Sequence, residues 1–282
     1  MKESLRQLLV HLDASRHVPR RLEVARAIAQ IHGAAITALY ATTPALLVVP
    51  FAAEGGASVA NALSRMDDER RAQARAAFNQ SFATPGVHAG AGWAEVQDYP
   101  IVPAFARQAL YADLLLLGQH DASDAEAAGV PFDFAEAVMA ASGKPALILP
   151  YAESAPTVGQ TIVIAWKPTR EAARAVSAAV PLLQRAREVH VLAWGNDDDD
   201  VSGARLDLEG FLKLRAIEAT WHHEGGGEPN SIGDLLLSRA FDLQADLLVM
   251  GCYGHSRARE WVLGGTSRTV LQSMTLPVLM AH

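Results

Sequence analysis

One unit written twice constrains the fold of this 282-residue chain more than any other feature. Tyr111-Ala-Asp-Leu-Leu-Leu-Leu-Gly118 returns 133 residues later as Gln244-Ala-Asp-Leu-Leu-Val-Met-Gly251. Lys144-Pro-Ala-Leu-Ile-Leu149 returns 132 residues later as Leu276-Pro-Val-Leu-Met-Ala281. Near the start of each copy, Leu9-Val-His-Leu-Asp13 corresponds to Val163-Ile-Ala-Trp-Lys167 at an offset of 154. Self-similarity at such a period marks a duplicated domain rather than a short repeat. The change of offset from 154 to 133 means that the second copy lacks 21 residues in its middle. The loss falls opposite Thr42 to Phe82, where the first copy carries a long loop and a long helix. Tyr151 to Gln160 is polar and reads as a linker, so domains are expected at 1–150 and 160–282.

Strand-like and helix-like runs alternate within each copy. The first copy has strands near Leu8–Leu12, Ala35–Tyr40, Gly92–Val96, Asp113–Gly118 and Pro145–Leu149. Helices fit Pro19–Ile31, Ala60–Phe82, Val102–Tyr111 and Phe134–Ala141. The second copy has strands at Ile162–Trp166, Glu188–Trp194, Ala219–His223, Asp246–Gly251 and Pro277–Ala281. Its helices fit Arg170–Arg187, Ala204–Leu214, Ile232–Leu243 and Thr266–Ser273. Pro19 suits a helix start, because the amide it lacks would have no partner there. Ser231 with Asp234 resembles a capping box. Uninterrupted apolar strands such as Leu114–Leu117 belong to parallel sheets covered on both faces. Right-handed crossovers then give two fused, doubly wound α/β domains.

Half of the residues are apolar and a fifth are charged, enough for a substantial core. The net charge of -7 suits solubility and argues against non-specific nucleic-acid binding, which needs a basic face. A single cysteine, Cys252, excludes an internal disulfide. The N-terminal strand-like run is too short for a signal-peptide core, and no apolar run has membrane-crossing length. The expected compartment is the cytoplasm, with no membrane insertion.

The most informative local segment lies after the apolar run Ala245–Val249. It reads Met250-Gly-Cys-Tyr-Gly-His-Ser-Arg-Ala-Arg-Glu-Trp-Val-Leu-Gly-Gly-Thr266, with the spacing Gly251-x2-Gly254-x9-Gly264. A glycine-bearing loop between strand and helix exposes backbone N–H groups beside a positive helix end, which suits a phosphate. This spacing resembles the nucleotide-binding loop of the universal stress protein family, and the resemblance extends over both copies. It implies five-stranded sheets of order 3-2-1-4-5, packed as an internal pseudo-dimer, with a further homodimer allowed. It also implies ATP or AMP at Gly251, Gly254, His255, Gly264, Gly265, Thr266 and Lys167, with no Mg²⁺ requirement identified.

The chain departs from the family pattern at two places. Gly265 stands where the loop normally carries a hydroxyl residue, and Lys167 stands where an aspartate follows the first strand. A lysine ammonium donates only and cannot accept from a ribose or base; it can pair with a phosphate or a carboxylate instead. The first copy keeps Asp13 but has Asp121 at the second loop glycine, where a carboxylate repels phosphate. A ligand is therefore expected in the second copy alone. Three readings stay open: a stress-response sensor of ATP, AMP or another anionic metabolite, a scaffold of the same fold without nucleotide, and a weak ATPase. Gly264 and Gly265 could also be a tight helix entry with Thr266 as its N-cap.

Other candidates are weaker. Cys252 lacks an evident base partner and reads as a small filler. His222 and His223 are neighbours on a strand, so they face opposite ways and cannot chelate one metal together. No metal ligand set emerges from spacing. Asp197–Asp200 lacks the spaced oxygens of a calcium loop, and Gly225–Gly227 reads as a flexible connection. Trp166 and Trp194 could stack on a base or fill core. No nucleophile–base–orienter set is visible, so catalytic residues are not assigned.

Overall fold

The computed structural model describes residues 2–50, 52–83, 90–152, 157–194, 206–224, 232–252 and 265–282. Contacts divide the chain into Ser4–Ala146 and a second unit comprising Leu147–His282 with Met1–Glu3. The N-terminal residues go with the second unit because Glu3 N donates to Gln184 Oε1 (2.6 Å) and Arg185 donates to Glu3 O (2.5 Å).

In the first half the elements run β1 (Gln7–Leu12), α1 (Val18–His32), β2 (Ala35–Tyr40), α2 (Ala45–Val48), α3 (Gly56–Ser81), β3 (Ala91–Glu95), α4 (Ile101–Ala109), β4 (Leu114–Gly118), α5 (Phe134–Ser142) and β5 (Ala146–Leu149). All four leucines of β4 are buried, as a strand covered on both faces requires. The strands lie in the order β3-β2-β1-β4-β5, parallel where their registers are given. Leu115 N donates to Pro145 O (3.0 Å) beside the start of β5. Pro19 enters the first turn of α1, and Gly33 ends it at φ 67, where its N–H reaches Ala29 O. Gly143 closes α5 in the same left-handed conformation.

The segment that the second copy lacks is more structured than a loop followed by a helix. It contains the single turn α2, flanked by Pro44 and Pro50, and α3 begins at Gly56 rather than Ala60. Only Ala74 and Phe78 of the long α3 are buried. Phe78 packs edge-on against Trp93, over which the Arg75 guanidinium lies 4.9 Å from the ring centroid.

The second half runs β6 (Thr161–Trp166), α6 (Arg170–Leu183), β7 (Glu188–Trp194), α7 (Leu208–Lys213), β8 (Thr220–Glu224), α8 (Ile232–Asp242), β9 (Leu247–Gly251), α9 (Gly265–Ser273) and β10 (Val278–Ala281). Its strands lie in the order β10-β9-β6-β7-β8, all parallel, which is the expected 3-2-1-4-5 arrangement read from the other side. α6 stops at Leu183 rather than at Arg187. The N–H groups of Arg187 and Glu188 both go to Gln160 O, which starts the chain into β7. α7 starts at Leu208, where the Asp207 side chain accepts from Gly210 N. Residues 204 and 205, part of the expected helix, lie outside the described residues, as does Ser231 of the capping box.

The aspartate of the repeated Ala-Asp-Leu-Leu motif acts within the sheet. Asp113 Oδ2 accepts from Arg6 N (2.6 Å) and Gln7 N (2.9 Å). Asp246 Oδ1 accepts from Gly159, Gln160 and Thr161 N–H at 2.9–3.0 Å. In each half the carboxylate before the fourth strand gathers the amides that lead into the first, and so sets their register.

Candidate functional site

Strand order reverses between β6 and β9, so the crevice of the second half opens at their carboxyl ends. The register pairs Ala165 with Met250, which brings Lys167 and Gly251 to neighbouring strand ends. Lys167 is exposed and makes no ion pair with any described residue; its carbonyl accepts from Thr169 N (2.7 Å). Thr169 caps α6 through Oγ1, which accepts from Ala172 N. Just before Lys167, the half-buried Trp166 has a buried indole N–H with no partner among the described residues. Such a group costs free energy until something accepts from it. The side chain of Trp194 lies outside the described residues.

Gly251 is a glycine because α6 crowds it. A Cβ there would lie 2.4 Å from Ala172 N and 2.6 Å from Glu171 C, and those backbone atoms cannot yield without moving the helix. Cys252 is buried, with its N–H on Ala281 O (3.0 Å) and its thiol on the same carbonyl. α9 begins at Gly265, so Thr266 stands inside the first turn rather than in the cap position considered from sequence. Thr266 O is one of the atoms that close in on Gly233, where α8 meets α9. Gly254, His255 and Gly264 lie outside the described residues.

Glu171 brings a buried carboxyl to the first turn of α6. Burial pushes its pKa up, but the hydrogen bond from Arg170, its own backbone N–H and the nearby charges outweigh this and hold it below the usual range. Its negative charge also suits a helix N-terminus.

The matching crevice of the first half is closed by its own side chains. His11, Asp13, Ser15 and Arg21 are all buried. Asp13 Oδ1 accepts from Ser15 N (3.0 Å), Ser15 Oγ (2.7 Å) and Arg21 Nη2 (3.0 Å). Arg21 Nη1 also donates to His11 O (2.8 Å) and meets His11 Nδ1 at 3.1 Å. His11 Nε2 lies 2.9 Å from Ala41 O. A neutral imidazole with its proton on Nε2 satisfies both contacts.

Burial pushes the Asp13 carboxyl up, but the Arg21 and His11 charges and the Ser15 hydrogen bonds bring it down to about 2. For His11, burial is the main cause of a fall to about 4. The guanidinium fills the space next to Gly118, where an added Cβ would meet Arg21 Cζ at 3.1 Å. A cleft of about 270 Å³ remains beside it, between the start of α1 and α3, lined in part by Asp13, Arg16, Gln73 and Gln80.

Asp121, the residue that replaces the second loop glycine in this half, turns back onto α1. Its Oδ1 accepts from Ser123 N and Oγ, and its Oδ2 accepts from Arg16 Nη2 (2.6 Å) and His17 Nε2 (2.9 Å). The Ser123, His17 and Arg16 hydrogen bonds hold this carboxyl far below the usual range. Asp124 accepts from Arg16 N (3.0 Å). His17, Asp121 and Asp124 bring ligand-type atoms within 4.8 Å of one another. Sequence spacing misses this group because its members come from two loops about a hundred residues apart. The Arg16 guanidinium already occupies the Asp121 oxygen that a cation would need.

Residues 159–282 match the model of the universal stress protein family. Among solved structures, a universal stress protein from Archaeoglobus fulgidus DSM 4304 is 17% identical, with 98% of this chain and 97% of that one covered at a TM-score of 0.68. A putative universal stress protein from Pseudomonas aeruginosa UCBPP-PA14 is 15% identical, with 98% and 92% covered at a TM-score of 0.59. No curated relative matches the chain in sequence. No described helix is long and apolar enough to cross a membrane. Residues 159–282 are thus similar to the universal stress protein family, and the chain as a whole shares the fold of these solved structures.

Proposed function

We propose that this protein acts in the stress response as a sensor whose second half binds ATP, AMP or a similar phosphate-bearing metabolite at the carboxyl ends of β6 and β9. The observation that carries this reading is the contrast at the two crevices. Lys167 is exposed and unpaired among the described residues, while Asp13 is consumed by Arg21. An unpaired ammonium supplies charge to an anion and gives up no existing ion pair. Gly254, His255, Gly264, Gly265 and Thr266 complete the proposed phosphate side through backbone and side-chain donors. Gly251 also lets α6 approach the strand end closely.

Calorimetry with ATP, AMP and adenosine tests this reading. If Lys167 meets a phosphate, Lys167→Asp weakens ATP binding by about ten- to a hundred-fold, the worth of one charge-assisted hydrogen bond. Adenosine binding then stays nearly unchanged. If the position instead faces the nucleoside, the same substitution restores an acceptor, and both ATP and adenosine bind more tightly. Absence of binding by both proteins at millimolar nucleotide removes the sensor reading and leaves the scaffold.

A further inference from the structure

We propose a metal site in the second half that is independent of the nucleotide crevice: a divalent transition-metal ion held between His190 on β7 and His222 on β8. His190 Nδ1 and His222 Nε2 stand 3.2 Å apart. Two imidazole nitrogens about 2.0–2.1 Å from a shared ion, at a near-tetrahedral angle, are separated by roughly that distance. The backbones that carry them are fixed by the parallel β7–β8 ladder, whose register runs from His190↔Thr220 to Trp194↔Glu224. Both rings are half-buried, which limits their rotation without excluding solvent.

The far side of His190 strengthens the assignment. Glu188 Oε2 lies 3.8 Å from His190 Nε2, and Arg187 Nη2 holds the other carboxylate oxygen at 3.2 Å. At 3.8 Å this carboxylate makes no hydrogen bond to the ring, but its charge favours the proton on Nε2 and so leaves the opposite nitrogen as the ligand, a weaker form of the support given to metal-bound histidines. The free lone pair is then Nδ1, the atom that faces His222. Two protein ligands leave the remaining positions to water, so the site favours Cu²⁺ over Zn²⁺ and binds both with moderate affinity. His223, adjacent in sequence, points to the opposite face of β8 and takes no part.

Titrating the full-length protein with Zn²⁺ and with Cu²⁺ in a non-chelating buffer tests this. We expect micromolar binding that weakens at least tenfold in His190→Ala and in His222→Ala. His223→Ala retains it, and His17→Ala retains it too, which separates this site from the group around Asp121. Glu188→Gln reduces affinity a few-fold while keeping the stoichiometry, as a positioning residue should. Circular dichroism, with His222→Gln as a second variant, distinguishes loss of ligand from loss of fold. Failure of either ion to bind at about 100 μM, or equal affinity in folded His190→Ala and His222→Gln, would overturn the proposal.

Discussion

At the end of β1 the first half closes Asp13 inside a buried ion pair, while at the matching end of β6 the second half leaves Lys167 exposed. The frames are alike, since both halves have the same strand order and the same aspartate at the start of the fourth strand. The difference comes from a few positions related by the offset of 154. His11 becomes Ala165, Asp13 becomes Lys167, His17 becomes Glu171, and Arg21 becomes Ala175. With Ala175 in place of Arg21 there is no guanidinium to fill the gap, and α6 closes directly onto Gly251. A duplicated fold can thus keep its backbone and still have one crevice satisfied from within and the other left for solvent.

The largest expected effect comes from breaking the plug. Arg21→Met leaves Asp13 buried without its cation, a change that costs about 3–5 kcal/mol. Urea unfolding should show this loss in the first half only, and Arg21→Met combined with Asp13→Asn should recover much of it. Loss in the second half instead would mean that the halves do not unfold separately.

Next in size is a pH effect confined to one half. The folded-state pKa of His11 is about 4, against 6.5 for the free group, so the unfolded chain binds its proton first. Stability from His11 is complete above pH 6.5 and falls as pH drops towards 4, by about 3 kcal/mol over the window. Asp13 adds a further loss below pH 3.8, as its carboxyl is protonated towards about 2. The second half has Ala165 at this position and should lack the histidine slope. Urea midpoints at pH 7 and pH 4.5 check this, and His11→Gln should flatten the response.

Smaller again is the contrast between the glycines. Gly251→Ala places a methyl against helix backbone and should cost about 1–3 kcal/mol. Gly118→Ala meets the end of the Arg21 side chain and should cost less. Equal losses in chemical denaturation would mean that the two crevices are packed alike. The smallest contrast concerns the paired aspartates. Asp246→Asn and Asp113→Asn should each cost about 1 kcal/mol through weakened amide acceptors, the former somewhat more because it gathers three amides instead of two.

The frame was legible in the sequence because it follows from periodicity. Repeated apolar strands such as Leu114–Leu117 and the 133-residue echo specify two doubly wound sheets, while the order of their strands was implied only by the family resemblance. The crevice was legible only in part. Asp13, Lys167 and Asp121 could be placed at strand ends, but the pairing of Asp13 with Arg21 depends on a helix turn bringing residue 21 back over β1. Asp121 meets His17 across 104 residues, and His190 meets His222 across 32. No spacing rule encodes such meetings; the sheet registers create them. Adjacent His222 and His223 were correctly separated by strand geometry, yet the partner of His222 lay on another strand.

The crowding at Gly251 has a consequence for how such chains are read. A residue kept by helix packing would persist in a copy that had lost every ligand, because its replacement harms folding before it harms recognition. Gly251 therefore has an architectural reason to be glycine whether or not its backbone also meets a ligand. The weight of any motif-based inference for this chain shifts to positions with no packing duty, of which exposed Lys167 is the clearest.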